Sequence, residues 1–213
     1  MAPHREPDPQ ADVAPLPRKH TLAAIAALII SAACLLTADL ALKWWAFNAL
    51  PGRPVEISEV LANRAQLPDI ERTIAPRVLS LRLVLNRGAV FGLGQGQKWL
   101  FILVTVGAIT AIIWAFANSH RHHRLLHTSL VFILAGALGN MYDRIVFSAV
   151  RDMLHLFPGV NLPFGWTWPS GRPELYPWIF NLADVFLLVG IGLMLLRALL
   201  FSGHEDKPVD TAN

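Results

Sequence analysis

Charge is scarce in this chain. Charged residues make up 15% of the 213 residues, against roughly a quarter in soluble domains. Hydrophobic residues make up 54%, and mean hydropathy is +0.45. A soluble enzyme or a disordered chain is excluded by that balance, and a bilayer is the natural place for the surplus apolar residues. Cysteine occurs once, at Cys34, which excludes an intrachain disulfide framework and a zinc site made of cysteines alone. Charge of one sign is lacking too: 18 Lys+Arg against 15 Asp+Glu leave +3. The pI near 9.4 reflects that small imbalance rather than a nucleic-acid-binding stripe, so no nucleic-acid partner is expected. No Ser-x-x-Lys, His-Glu-x-x-His or Gly-x-Ser-x-Gly occurs, which leaves no serine or zinc hydrolase signature. No internal repeat is visible.

Four long apolar stretches are present. Thr21–Ala38 and Trp99–Ala117 hold no charge, Leu125–Tyr142 carries only His127 and the amide of Asn140, and Ile179–Phe201 is apolar except for Asn181, Asp184 and Arg197. A helix crossing the hydrocarbon core needs about 20 such residues. The expectation is an all-α membrane protein with four transmembrane helices, about 21–42, 98–117, 125–143 and 178–201. These helices form one membrane domain over 18–203, with loops at 43–97 and 144–177 and disordered cytoplasmic tails at 1–17 and 204–213. Arg18 and Lys19 precede the first helix, and Arg121 and Arg124 lie in the short connection between the second and third. Short basic loops stay inside, so both termini are expected in the cytoplasm. The six arginines between Lys43 and Lys98 do not reverse this, because long loops cross largely regardless of charge.

Arg77–Leu85 alternates, with Leu79, Leu81, Leu83 and Leu85 on one side and Ser80 and Arg82 on the other, a strand pattern in the first outer loop. Pro158–Pro177, rich in Pro, Gly and Trp, reads as an irregular loop at the membrane interface. Arg18-Lys19-His20 followed by an apolar run and Ser31-Ala32-Ala33-Cys34 imitates a lipoprotein signal peptide. Ser31 is polar where such sites want an aliphatic residue, and Cys34 is read as an inert membrane residue.

The polar residues a bilayer should exclude crowd one face. Asp39 and Lys43 end the first helix there, and Asn86-Arg87-Gly88-Ala89-Val90-Phe91 precedes the second. Gly139-Asn140-Met141-Tyr142-Asp143-Arg144 ends the third, with Asp152 beyond it, and Phe180-Asn181-Leu182-Ala183-Asp184 opens the fourth. Asn140 shares a helix face with Asp143, and Asn181 with Asp184, by i,i+3 spacing. Gly136 and Gly139 allow a neighbouring helix to come close. Two aspartates in one desolvated site would have their pKa values pushed apart, leaving a carboxylate and a carboxylic acid, the equipment of an aspartic protease. On spacing alone Asp184 reads as functional, because an acid on an apolar helix is costly, whereas Asp152, in a loop, is open. Asp143 reads as an interfacial pair with Arg144, and Asp39 with Lys43 as an ordinary i,i+4 helix-end pair. His120, His122, His123 and His127 read as a solvated cytoplasmic face, without an acid or cysteine to complete a metal site, and His155 has no role. A proton-coupled transporter or channel using Asp184 as a relay is the rival reading, but it would want acids near mid-membrane or on both faces.

With these pieces in their order, the chain resembles the lipoprotein signal peptidases (signal peptidase II), bacterial inner-membrane aspartyl proteases. The resemblance spans residues 39 to 184. It implies four transmembrane helices, a small β-sheet in the first outer loop, and an active site near the outer (periplasmic) face. It implies removal of the signal peptide from diacylglyceryl-modified prolipoproteins on the N-terminal side of the lipidated cysteine, without metal or cofactor. It also implies catalytic roles for Asp152 and Asp184, substrate-binding roles for Asn86, Gly88, Asn140, Arg144 and Asn181, and structural roles for Asp39, Lys43 and Asp143. Prolipoproteins and membrane lipids are the implied partners, and a monomer is expected. Leu40, Val90 and Ser148 depart from the family's usual Gln, Ala and Gly. The 31 residues between Asp152 and Asp184 make a long loop, expected to act as a lid or a lipid-facing platform.

Overall fold

The computed structural model describes residues 20–63, 67–88, 96–120 and 122–201. Both tails, Arg121 and the Ala89-Val90-Phe91 piece lie outside the described residues. The elements run α1 (Leu22–Ala49), α2 (Ile57–Ala62), β1 (Glu71–Ala75), β2 (Leu79–Asn86), α3 (Lys98–Ala117), α4 (Arg124–Phe147), β3 (Val150–Leu156), β4 (Ile179–Phe180) and α5 (Leu182–Phe201). Among the described residues, α1, α3, α4 and α5 are long and apolar enough to span a membrane. Their outer surfaces keep Ile29, Ile30, Leu103, Leu188 and Leu199 exposed, as a lipid-facing surface should.

α4 is the centre of the bundle, packed against α1, α3 and α5. Small residues make the α4–α5 approach possible. A Cβ on Gly136 would run into the carbonyl of Ala183, and one on Gly190 would lie 2.9 Å from the carbonyl of Ser129.

α1 begins at Thr21, whose hydroxyl caps the N–H of Ala24 at 3.2 Å, and continues past the expected end near residue 42. Its 28 residues span roughly 42 Å at 1.5 Å per residue, more than the ~30 Å hydrocarbon core. The last turns therefore stand beyond the core. There Ala46 and Phe47 join Ile57, Leu81, Leu83 and Met153 in a buried cluster that seats the sheet on the end of α1.

That sheet is antiparallel in the order β1-β2-β3-β4. The expected strand is β2, but the second outer segment supplies β3 and β4, so the sheet is not confined to the first loop. α4 runs on to Phe147 and stops at Ser148, which takes a left-handed conformation (φ 58) and donates its N–H to the carbonyl of Arg144 at 3.1 Å. With α4 ended there, β3 starts two residues later. Asp152 therefore lies on a strand opposite Val84 rather than in a loop. The fourth helix begins later than residue 178, because Ile179 and Phe180 pair with His155 and Leu154 as β4.

Candidate active site

Ser148 sends the chain from α4 directly into β3, so Asn140, Asp143 and Arg144 on the last turns of α4 come beside Asp152. Asn86, the last residue of β2, pairs with Val150 in the same sheet. Asn181 and Asp184 form a reciprocal cap at the start of α5. The N–H of Asp184 donates to Asn181 Oδ1 at 3.1 Å, and the N–H of Asn181 donates to Asp184 Oδ2 at 3.2 Å. This is the capping-box arrangement, and it explains the i,i+3 spacing in local terms.

The two aspartates meet through asparagine. Asn181 Nδ2 donates to Asp152 Oδ1 at 2.6 Å and to Asn140 Oδ1 at 3.1 Å. Asn140 Nδ2 donates to Asp184 Oδ1 at 2.8 Å. Asn86 Nδ2 donates to Asp152 Oδ2 at 3.1 Å, while its own oxygen accepts from the N–H of Gly88 at 2.9 Å. Each carboxylate oxygen of the pair thus has a donor. Asp152 is buried and Asp184 half-buried. Burial, and then the charge of Asp184, push Asp152 up to about 7 against donations from Asn181 and Asn86. A pair that holds one proton near neutral pH can take a proton from water and give one to a carbonyl oxygen.

Behind the pair lies a buried ion network. Lys43 Nζ sits 2.8 Å from Asp39 and 3.3 Å from Asp143, and donates to Asn140 Oδ1 at 3.3 Å. Asp39 accepts from the N–H of Ala183 at 2.9 Å, which ties α1 to the first turn of α5. Asp39 and Lys43 are fully buried and lie inside α1, so they are not an exposed helix-end pair. The expected Asp143–Arg144 pair is replaced by another. Asp143 is held by Arg151 through two side-chain bonds, at 2.7 and 3.1 Å, and by the Arg151 N–H at 3.0 Å. Arg144 on the next helix position points elsewhere, donating to the carbonyls of Asn140 at 3.3 Å and Gly88 at 3.4 Å, with its guanidinium over Phe101.

Sequence reasoning missed Arg151, because a charge next to Asp152 carries no periodic signal until β3 is known. It also missed the Glu71–Ser80–His155 cluster on three strands. There His155 Nδ1 lies 3.0 Å from Glu71, and Ser80 donates to the same carboxylate. The Ser80 hydroxyl, with His155, holds Glu71 below the usual carboxylate range despite its partial burial. At the cytoplasmic end expected for the histidines, His127 bonds Ser119 at 2.8 Å and His20 stacks on Phe116, so part of that face is packed rather than solvated. Among the described residues no group of three or more His, Cys, Asp or Glu is placed to hold a metal ion.

A cavity of about 1440 Å³ runs past Asp152 and Asp184. Val104 and Ala108 of α3, Ile133 and Ala137 of α4, and Leu187 and Leu188 of α5 line its apolar end. Arg82, His155, Arg172 and Glu174 line the end over the sheet. Asn86, Gly88, Asn140 and Arg144 lie on its wall, whereas Asn181 is held behind the two carboxylates. Such a groove suits a substrate with an apolar segment on one side of the reacting bond and a polar chain on the other.

A family model described as signal peptidase (SPase) II matches residues 31–200. The lipoprotein signal peptidase of Desulfitobacterium hafniense (strain DSM 10664 / DCB-2) is 34% identical over 134 residues, covering 63% of this chain and 78% of that protein. The lipoprotein signal peptidase of Burkholderia mallei (strain SAVP1) is 38% identical over 120 residues, covering 54% of this chain and 63% of its own length. Two solved bacterial membrane enzymes, determined by the in meso method at 2.3 and 1.9 Å resolution, share the fold. Their TM-scores are 0.63 and 0.59, at 20% and 21% identity. They cover 89% and 85% of this chain, and 96% of each solved chain is covered.

Proposed function

The chain belongs to the signal peptidase II family, and from that premise we propose which of its residues perform the reaction and on which side of the membrane. It is an aspartic-type membrane endopeptidase that removes signal peptides from prolipoproteins during lipoprotein maturation. The catalytic pair is Asp152 and Asp184. The observation that carries this is the sharing of one asparagine by both acids: Asn181 donates its side-chain N–H to Asp152 and its backbone N–H to Asp184.

With one proton on the pair, the ionised carboxylate takes a proton from a water as it attacks the scissile carbonyl. The protonated acid gives its proton to the carbonyl oxygen. When the gem-diol intermediate collapses, one of its hydroxyls returns a proton to the ionised carboxylate as the C–N bond breaks and the leaving amine takes up a proton from the other acid. One shared proton remains and the cycle is restored. Asn86 and Asn140 hold the carboxylates, and Arg144 and the Gly88 backbone offer polar contacts to the substrate chain on the groove wall. Asp39, Lys43 and Asp143 act as a structural brace for Asn140 and the start of α5. The apolar end of the groove receives the membrane-embedded part of a diacylglyceryl-modified prolipoprotein, with cleavage on the N-terminal side of the lipidated cysteine.

The positive-inside rule supports an orientation with Arg124 and the His20 end of α1 in the cytoplasm and the aspartates near the outer face of a bacterial inner membrane. Residues 18–203 act as one peptidase domain, and a single copy supplies every group of the site.

The test is cleavage of a diacylglyceryl-modified prolipoprotein by the purified protein in detergent, beside Asp152→Asn and Asp184→Asn. Cleavage before the lipidated cysteine, abolished by each substitution with the fold retained, is the expected result. A folded wild type that never cuts, or variants that cut normally, overturns the assignment.

A further inference from the structure

Between β3 and β4 the chain leaves the sheet and returns as an arm, and from Phe157 to Gly171 it carries no charged residue. The arm is braced across its stem. The N–H of Leu162 donates to the carbonyl of Pro173 at 2.8 Å, that of Leu175 to Val160 at 2.7 Å, and that of Trp168 to Arg172 at 2.9 Å. The Trp168 indole N–H donates to the carbonyl of Glu174 at 2.9 Å. At the tip, Pro163, a left-handed Phe164 (φ 60) and Gly165 (φ 73) make a tight turn. A residue with a Cβ rarely takes that conformation, and here it stands Phe164 outward, 90% exposed. Trp166 is 65% exposed beside it, the ring centroids 5.9 Å apart.

Among the described residues, neither ring belongs to a buried apolar cluster. The base of the arm walls the groove through Arg172, Glu174, Tyr176 and Trp178, but neither Phe164 nor Trp166 lines it. Large apolar rings held in water by a braced stem are unfavourable, and the missing charge removes the usual penalty for taking such a turn into a less polar medium. The end of the bundle that bears the sheet already exposes Trp44 and Trp45 near the end of α1 and Trp99 at the start of α3. Tryptophan favours that level of a membrane, between headgroups and chains.

We propose that Phe164 and Trp166 seat in the headgroup layer of the membrane leaflet on the active-site side, so that the arm is a lipid-anchored wall of the groove. The inference rests on the membrane orientation described above only for which leaflet is meant, and on no catalytic role.

The experiment uses the full chain with Cys34→Ala and Phe164→Cys, carrying an environment-sensitive fluorophore, in vesicles of phosphatidylethanolamine and phosphatidylglycerol. A Ser170→Cys chain labelled on the same arm is the reference. The label at 164 is expected to emit to the blue of that at 170, to be quenched by lipids bearing a nitroxide near the headgroup, and to resist aqueous iodide. Equal iodide quenching at the two positions overturns the proposal. So does a label at 164 shielded from both quenchers, which means that the tip packs on protein, whether its own groove or a second copy. No cleavage enters the readout, so a failed peptidase assay and a failed seating are separate results.

Discussion

Three asparagine amides surround the two carboxylates, and each is held in one orientation by what its oxygen accepts. Asn86 is tied by the N–H of Gly88, Asn181 by the N–H of Asp184, and Asn140 by Lys43 and Asn181. Their NH₂ groups must then face the acids, which is why this site uses amides rather than more carboxylates. Lys43 matters through Asn140 and through the two buried acids it holds. Lys43→Met would leave Asp39 without its cation and Asp143 with Arg151 alone, a loss of about 3–5 kcal/mol when a buried pair is broken. Thermal unfolding in detergent should show it as a large fall in Tm. Asp152 makes a pH prediction. Folded, it is pushed up to about 7 from an ordinary 3.8, so the native state binds the extra proton between those values. That contribution is fully present below pH 3.8 and is lost as pH rises through 7. Wild-type Tm should therefore fall relative to that of Asp152→Asn as pH is raised from 4 to about 7, and the difference should level off above that. Cleavage should decline as pH rises through 7, where the pair loses its shared proton.

At the scale of elements, the site depends on how closely three helices meet. Gly139 faces α1 and α5 together: a Cβ there would lie 2.5 Å from Asp39 Oδ2 and 3.2 Å from the Ala183 side chain. Gly139→Ala should push the brace apart. The expected result is activity lowered more than stability, because the displaced groups are those that aim Asn140 and α5 at the substrate. A kcat unchanged beside wild type at equal folded fraction would contradict this. Sequence periodicity found the helices and one strand. It missed β3 and β4 because seven and two residues in a segment between helices make too short a pattern to separate from loop. It placed the end of α1 too early because the charges at Asp39 and Lys43 look like a boundary. In the fold those charges are neutralised inside the bundle and the helix continues.

Over the whole molecule, function requires that an apolar groove open beside the bilayer while a polar sheet stands above it. The orientation proposed from Arg124 and the flanking basic residues predicts that a thiol probe unable to cross membranes labels Ser170→Cys, in the Cys34→Ala background, from outside intact cells. It should label His122→Cys only after permeabilisation. Reversed labelling would invert the proposed topology. If the arm is seated in lipid, Phe164→Ser with Trp166→Ser should leave detergent-phase cleavage at the wild-type rate. In vesicles the same pair should raise KM about tenfold, equivalent to ~1.4 kcal/mol.

Sequence alone determined the four membrane helices, since long uncharged runs have no other stable place. It also determined which polar residues are anomalous: acids and amides in such runs are costly enough to be informative wherever they occur. What it could not determine is which polar residue meets which. Asp143 bonds Arg151 rather than its neighbour Arg144, and Asp39 caps Ala183 from 144 residues away in the chain. Partner choice is decided by tertiary structure because inside a low-dielectric bundle each charge takes the geometry that satisfies it best, and that geometry exists only once α1, α4, β3 and α5 have packed.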